Sequence, residues 1–330
     1  MAQSGNSSGL RSWTSSGDGL LAVLSGGTGT PKLLQGLVRL VKQEELSIIV
    51  NTGEDVEISG LFVSPDIDTV MYTLAGIVNE ETWYGVRGDT FEEHERLRRE
   101  GKPELLRIGD RDREVKRRRT ELLKEGRTLS EVTRILCRDF HVLANVMPMS
   151  DDRVRTLIYT EAGPMGFHEF WVARRARDRV TSVAFEGAAS ARPAPGVLET
   201  IEKSDAIIIG PSNPVTSIGP IVAIKDIRLA LQRAREKVIA VSPVVGGSPV
   251  SGPAGILMKG LGYEVSPLGV AKIYHDFIGG LVIDDRDRSI APEIEKLNIR
   301  AFTTNLMMPD QPSRVNLART VLTLAGIRPT

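Results

Sequence analysis

The chain has 330 residues, of which 41% are hydrophobic and 25% are charged, so it can bury a sizeable core. A composition this close to the average of folded proteins excludes a mainly disordered chain. Its 42 basic and 42 acidic side chains give a net charge of zero, which argues against binding nucleic acid or an anionic membrane through bulk positive charge.

Residues 1–19 are rich in serine and contain neither an apolar core nor an export signal, so we predict a disordered tail. Residues 20–330 are predicted to form one domain without a transmembrane helix, because no run of about 18 apolar residues occurs. A single cysteine, Cys137, excludes an intramolecular disulfide and is consistent with a reducing cytoplasm.

A strand, a glycine-rich loop, a helix and a second strand open the domain. The apolar residues 20–24 and 46–50 predict the two strands. The helix between them is predicted from Lys32 to about residue 42, with Thr30 as its N-cap. This succession favours parallel pairing of the two strands.

The glycine-rich loop is the first candidate for ligand binding. It contains Gly26, Gly27, Thr28 and Gly29. Glycines let the backbone approach a ligand closely, and the N-terminus of the following helix attracts phosphate. We therefore predict a phosphate-binding loop, with a merely tight strand-to-helix turn as the alternative.

Four carboxylates follow the second strand, namely Glu54, Asp55, Asp66 and Asp68. This segment lies beyond the carboxyl end of a strand, where open α/β sheets bind their ligands. Hard oxygen ligands beside a phosphate loop suit Mg²⁺. The alternative is that Asp68 caps a helix and that Glu54 is simply solvated.

The middle of the chain, from about residue 91 to 140, is charged and predicted as an inserted helical subdomain. Thr128 and Glu131 form a capping box there. Residues 114–119 interleave acidic and basic side chains and are expected to form a solvated, self-paired helix. Residues 154–159 and 169–172 then resemble two strands joined by a loop.

The alternation of strands and helices resumes after residue 195. Strands are predicted at residues 205–209, 238–241, 281–283 and 300–303, which indicates a doubly wound, Rossmann-like, mostly parallel α/β sheet. The loop after the first of these strands contains Ser212, Asn213 and Ser217, whose side chains can bind phosphate, ribose or a base edge. An ordinary N-cap role is the alternative for Ser217.

Several segments resemble the 2-phospho-L-lactate transferase (CofD) family, in family order and over nearly the whole chain. They are residues 25–34 (SGGTGTPKLL), 51–55 (NTGED), 64–69 (SPDIDT), 108–113 (IGDRDR), 147–152 (MPMSDD), 193–198 (PAPGVL), 210–220 (GPSNPVTSIGP) and 251–255 (SGPAG). The resemblance implies a cytoplasmic, homodimeric enzyme of coenzyme F-420 biosynthesis. Such an enzyme transfers a phospholactyl group from lactyl-diphosphoguanosine to the deazaflavin FO, with Mg²⁺, and gives coenzyme F-420-0 and GMP.

The resemblance also implies roles for individual residues. The glycine-rich loop would hold the donor diphosphate, and Ser212, Asn213 and Ser217 would complete the guanosine-phosphate site. Asp55 and Asp66, with Glu54 as a further candidate, would bind the metal. The resemblance associates Asp68 and Arg107 with FO. Asp68 and Asp55 are the predicted catalytic residues, and Asp68 would orient or deprotonate the attacking hydroxyl.

Two departures from the family pattern bear on the donor and on the site. Glu54–Asp55 stands where bacterial members with a phosphoenolpyruvate-derived donor have two aspartates, which favours the phospholactyl donor over the enolpyruvyl one. His168 replaces a glutamine that is usual in the family. The alternatives from other classes are a non-catalytic, nucleotide-sugar-binding regulator of the gluconeogenesis-factor type and, last, a nicotinamide-dependent oxidoreductase.

Overall fold

The computed structural model describes residues 20–329, and the predicted tail lies outside the described residues. The strands are β1 (Leu21–Ser25), β2 (Leu46–Val50), β3 (Val56–Ile58), β4 (Leu61–Val63), β5 (Asn145–Pro148), β6 (Arg155–Thr160), β7 (Gly163–Gly166), β8 (Val180–Glu186), β9 (Ala206–Ile209), β10 (Val238–Val241), β11 (Val244–Val245), β12 (Ser248–Pro249), β13 (Gly280–Asp284) and β14 (Arg300–Thr304). The helices are α1 (Gly29–Leu37), α2 (Pro65–Leu74), α3 (Glu92–Arg99), α4 (Asp110–Lys124), α5 (Leu129–Asp139), α6 (Val197–Lys203), α7 (Gly219–Ala223), α8 (Lys225–Arg233), α9 (Ala254–Gly260), α10 (Pro267–Tyr274), α11 (Ala291–Glu295) and α12 (Gln311–Leu324). Within residues 20–329, no helix is both long and apolar enough to cross a membrane.

Seven parallel strands form the central sheet, in the order β14-β13-β10-β9-β1-β2-β5. The predicted doubly wound α/β fold is confirmed. From β1 the chain adds β2 and then β5 toward one edge of the sheet. From β9 it adds β10, β13 and β14 toward the other edge. The switch point between β1 and β9 is where such sheets bind their ligands.

The sheet is buried on both faces, which explains its continuous apolar strands. In β1, Leu21 and Val23 pack into one core, whereas Ala22 and Leu24 pack into the other. The first core is completed by α1, α2 and α12, and by apolar side chains of α4 and α5 such as Val115. The predicted helical segment therefore shares its core with the sheet, and the capping box of Thr128 is confirmed at the start of α5.

Two local predictions are wrong. Residues 169–172, predicted as a strand, form a π-helical turn (Glu169–Ala173), and β6 pairs instead with β7 and β8 in a small antiparallel sheet. Aromatic and branched residues favour strands, but these residues instead form a turn that buries Phe170. Thr30 is not the N-cap of α1: Thr28 occupies that position and the helix ends at Leu37.

Candidate active site

The loops that follow β1 and β9 are interlocked at the switch point. Ser212 Oγ donates a hydrogen bond to the carbonyl oxygen of Gly26 and lies 2.7 Å from Thr30 Oγ1. A side-chain carbon on Gly29 would lie 1.9 Å from the carbonyl oxygen of Pro211. Only glycine therefore fits here, because the two backbones touch.

A cavity of about 730 Å³ opens at these loops. Its wall includes six of the residues predicted to bind the donor: Gly27, Thr28, Gly29, Ser212, Asn213 and Ser217. Gly26 lies just behind them, since a side-chain carbon there would meet Ser217 Cβ at 2.8 Å. Two segments that are distant in sequence, residues 26–29 and 212–217, thus meet at this cavity.

Asp66 lies beside the glycine-rich loop, at the start of α2. A side-chain carbon on Gly26 would lie 3.0 Å from Asp66 Oδ2. Asn51, at the end of β2, donates from Nδ2 to Asp66 Oδ2 at 2.9 Å and to the Thr216 carbonyl oxygen at 3.2 Å. Burial raises the pKa of Asp66 to about 6, although hydrogen bonds from Asn51 and the Gly27 main chain favour its ionised form.

Glu54 and Asp55 add two more carboxylates at this point. Among the described residues, Glu54 Oε1 and Asp55 Oδ2 are buried without a hydrogen-bond partner, whereas Asp55 Oδ1 accepts from Ser64 Oγ at 2.7 Å. Burial raises the pKa of both well above the usual value, and the Asp66 carboxylate raises that of Glu54 further. Unpartnered acidic oxygens in a cluster require a proton or a cation to neutralise them.

These carboxylates fit a magnesium ion that shares its coordination with a ligand. Within residues 20–329, no group of three His, Cys, Asp or Glu side chains is arranged to hold a metal by itself. Mg²⁺ usually takes one or two carboxylates and completes its shell with water and substrate phosphates. Glu54 and Asp66 line the cavity next to the glycine-rich loop, where a phosphate would supply those oxygens.

Asp68 has a different environment from Asp66. Its carboxylate accepts hydrogen bonds from Lys116 Nζ at 3.0 Å and from both terminal nitrogens of the Arg119 guanidinium. Burial opposes its ionisation, but the charges of Arg119 and Lys116 outweigh burial and hold the pKa of Asp68 below its usual value. Residues that are two positions apart in a helix, such as Asp66 and Asp68, point in directions about 200° apart around its axis. Asp68 accordingly lies outside the set of described residues that line the cavity.

The expectation of a solvated, self-paired helix at residues 114–119 is wrong in part, because one face of the helix is buried. Lys116 and Arg119 are buried, and Lys116 Nζ also lies 2.5 Å from Asp112 Oδ1, one turn earlier in α4. Only the outer face is solvated, where Arg117 pairs with Glu114. Buried basic residues are rare unless they are paired, and the partner Asp68 comes from another helix.

Arg107 and His168 both line the cavity. The Arg107 guanidinium stacks over the ring of Phe91, with its carbon 3.8 Å from the ring centroid. His168 Nε2 lies 2.8 Å from the carbonyl oxygen of Glu54, and burial lowers the pKa of His168. A neutral His168 therefore supports the segment that carries two of the carboxylates.

Residues 21–307 match the family described as 2-phospho-L-lactate transferase CofD. The chain belongs to this family. It is 52% identical over 303 residues to the 2-phospho-L-lactate transferase of Methanothermobacter thermautotrophicus, covering 92% of this chain and 97% of that protein. It is 49% identical over 311 residues to the 2-phospho-L-lactate transferase of Methanocaldococcus jannaschii, covering 93% and 98%.

The CofD fold also resembles a crystal structure of a UPF0052 family member from Bacillus halodurans. The TM-score is 0.63 at 15% sequence identity, and the match covers 92% of this chain and 98% of that one. At this identity the likeness concerns the fold alone. It adds independent support for the doubly wound sheet.

Two residues of this CofD site were not recognised as ligand-binding candidates from the sequence. Asn51 stands in the NTGED segment, but its hydrogen bond to Asp66 depends on how β2 meets α2. Lys32 follows the glycine-rich loop by one helical turn and lines the cavity. Its position in the SGGTGTPKLL segment was the sequence signal that Lys32 could bind a ligand. The direction in which its side chain points is known only from the packed structure.

Proposed function

We propose that this CofD-family chain transfers a phospholactyl group from lactyl-diphosphoguanosine to the ribityl hydroxyl of FO, giving coenzyme F-420-0 and GMP. The observation that carries the proposal is the cavity at the β1/β9 switch point, where a glycine-rich loop and buried carboxylates meet. Similarity to 2-phospho-L-lactate transferases over more than nine-tenths of the chain supports the same reaction.

The proposed reaction is a displacement at phosphorus. The FO hydroxyl oxygen attacks the phosphorus that carries lactate, and the bond from that phosphorus to the bridging oxygen breaks. GMP leaves with the electron pair, and the hydroxyl proton is lost to a base. Positioning and charge neutralisation dominate such transfers. The main-chain amides of Thr28 and Gly29 and the side chain of Ser217 suit that task, whereas the Gly27 N–H and the Ser212 hydroxyl donate to Asp66 and to the Gly26 carbonyl oxygen, respectively.

Glu54 and Asp66, which line the cavity, would hold Mg²⁺ together with phosphate oxygens, and the ion would neutralise charge on the diphosphate. Asp55, which does not line the cavity, is a further candidate ligand. The unpartnered buried oxygens of Glu54 and Asp55, and the raised pKa values of all three carboxylates, support this assignment. Arg107 is proposed to contact FO from the cavity wall. A catalytic contact of Asp68 with FO remains a prediction; its pairing with Arg119 and Lys116 is more suited to fixing α2, and through α2 Asp66, in place.

The decisive experiment is to incubate the purified protein with FO, Mg²⁺ and one guanylylated donor at a time, phospholactyl, enolpyruvyl or glyceryl. Mass spectrometry of the product then identifies the transferred group. We expect the phospholactyl adduct of FO and stoichiometric GMP, both abolished by EDTA. Transfer from the enolpyruvyl donor alone would establish the alternative donor, and absence of any adduct would overturn the proposal.

The non-catalytic, nucleotide-sugar-binding regulator is the alternative that the sequence left open. It predicts stabilisation by UDP-sugars but not by GDP in a thermal shift measurement. A homodimer in the cytoplasm, which the resemblance implies, is also part of the proposal. Light scattering of the purified protein is expected to give twice the chain mass of 36.0 kDa.

A further inference from the structure

Lys32 is a cation in the cavity for which the described part of the chain supplies no anionic partner. It is the fourth residue of α1 and lines the cavity together with the glycine-rich loop. Among residues 20–329 its ammonium forms neither an ion pair nor a hydrogen bond; its described contact is the face of Trp83, with Nζ 5.2 Å from the ring centroid. A half-buried ammonium in such a setting is available to a ligand.

The surroundings of Lys32 keep its charge unmatched. Arg314 contacts the same indole, with its guanidinium carbon 4.8 Å from the ring centroid. The charge of Arg314 is matched by Glu80, at 2.7 Å, and its NH1 also donates to Gln35. Burial and the nearby charge of Arg314 lower the pKa of Lys32. An anion beside Nζ would offset both effects.

Different groups in the cavity wall would bind the different anions of the donor. The main-chain amides of the glycine-rich loop and a Mg²⁺ ion held by the carboxylates suit the diphosphate, as set out above. The donor also carries the carboxylate of its three-carbon acid, which needs a cation. Of the lysines and arginines in the described chain, Lys32 and Arg107 line the cavity, and Arg107 is exposed and stacked on Phe91. Lys32 is on the helix that follows the phosphate loop.

We propose that Lys32 binds the carboxylate of the transferred acid and thereby selects a donor that carries one. The inference rests on the proposed function and adds a specificity-determining residue to it. Phospholactyl, enolpyruvyl and glyceryl donors share this carboxylate. Lys32 therefore discriminates against phosphate esters without a carboxylate rather than among these three donors.

The test uses 2-phospho-L-lactate and isopropyl phosphate, in which a methyl group replaces the carboxylate. Each is titrated by calorimetry into protein saturated with GMP and Mg²⁺, and the ratio of the two affinities is taken within each variant. We expect wild-type protein to prefer 2-phospho-L-lactate by about tenfold or more, since a charge-assisted hydrogen bond is lost with isopropyl phosphate. Lys32→Met should abolish the preference, and Lys32→Arg should retain most of it.

Lys42→Met is the matched control, because Lys42 is exposed and lies outside the cavity wall. It should keep the wild-type preference, and all variants should bind GDP as wild type does. A preference that survives in Lys32→Met, an equal loss of affinity for both esters, or GDP binding without 2-phospho-L-lactate binding in wild type would overturn the inference. Failure of wild-type protein to bind GDP with Mg²⁺ would instead overturn the proposed function.

Discussion

Burial of the Glu54 carboxylate beside Asp66 destabilises the metal-free protein. Glu54 titrates at a higher pKa in the folded than in the unfolded protein. The folded state therefore binds more protons, and its stability falls as pH rises from about 4 through the raised pKa. Neutralising this side chain removes the unfavourable charge and, with it, a ligand for the proposed cation.

Glu54→Gln is accordingly expected to raise the melting temperature in EDTA at pH 7.5 by a few degrees. The difference from wild type should vanish near pH 4, where Glu54 of the wild type is protonated and is therefore neutral like the glutamine of the variant. Addition of Mg²⁺ and GDP should stabilise the variant less than wild type. Glu57→Gln, a change at an exposed position three residues away, should behave as wild type in thermal melts; a lower melting temperature for Glu54→Gln in EDTA would contradict the prediction.

Asp66 combines contact with the glycine-rich loop and a position in the cavity wall. Asp66→Asn keeps the size of the side chain and its hydrogen bond to Asn51 but removes the charge that would bind Mg²⁺. We expect turnover to fall by about 100-fold or more. Changing a residue that only supports a metal ligand typically costs about 10–100-fold in metal affinity or activity, and loss of the ligand itself should cost more. Steady-state kinetics over a Mg²⁺ series tests this; unchanged turnover at low Mg²⁺ would exclude Asp66 from the metal site.

At the scale of elements, the pairing of Arg119 with Asp68 joins α4 to α2. Arg119→Met leaves the Asp68 carboxylate buried beside a single lysine, and breaking a buried ion pair in this way costs about 3–5 kcal/mol of unfolding free energy. Arg117→Met, two residues earlier on the exposed face, should cost less than about 1 kcal/mol. Urea unfolding of the two variants measures the contrast, and equal effects would show that the buried pair contributes nothing specific.

Contact between the loops after β1 and β9 is a second link between elements. In Gly29→Ala the new methyl group would lie 1.9 Å from the Pro211 carbonyl oxygen, so one loop must move. We expect a cost of about 1–3 kcal/mol together with weaker GDP binding. In Gly166→Ala the nearest atom is the Arg155 guanidinium nitrogen at 3.6 Å, and GDP affinity should be unchanged. Equal GDP affinity in both variants would contradict this account of the loops.

For the whole molecule, ligand binding at the switch point should stabilise both halves of the sheet together. The proposed nucleotide would contact the loop after β1 and the loop after β9, which lie on the two sides of the switch point. Ligand binding at a concentration of 100 times Kd raises the free energy of unfolding by about 2.7 kcal/mol. With Mg²⁺, GDP should therefore raise the melting temperature and slow amide exchange in residues 26–30 and 210–217 alike. Protection of one loop only would argue against a shared site.

The sequence by itself determined the elements whose signals are local. Buried parallel strands such as β9 and β10 are continuous apolar runs, and the glycine-rich loop stands between a strand and a helix. β5 was not predicted, because its four residues, Asn145–Pro148, lack a pattern of their own and pair only with β2. The family was also evident from motifs, since these are contiguous in the chain.

Only the tertiary structure decided the roles of side chains that share one helix. Asp66 and Asp68 are two residues apart, yet one faces the glycine-rich loop and the other faces Arg119. Lys116 and Arg119 look like solvated charges in the sequence, and the motif that contains Lys32 does not show which way its side chain points. Which of these charges is buried, paired or left free depends on which helix faces meet on one side of the sheet, and that is set by contacts between residues far apart in the chain.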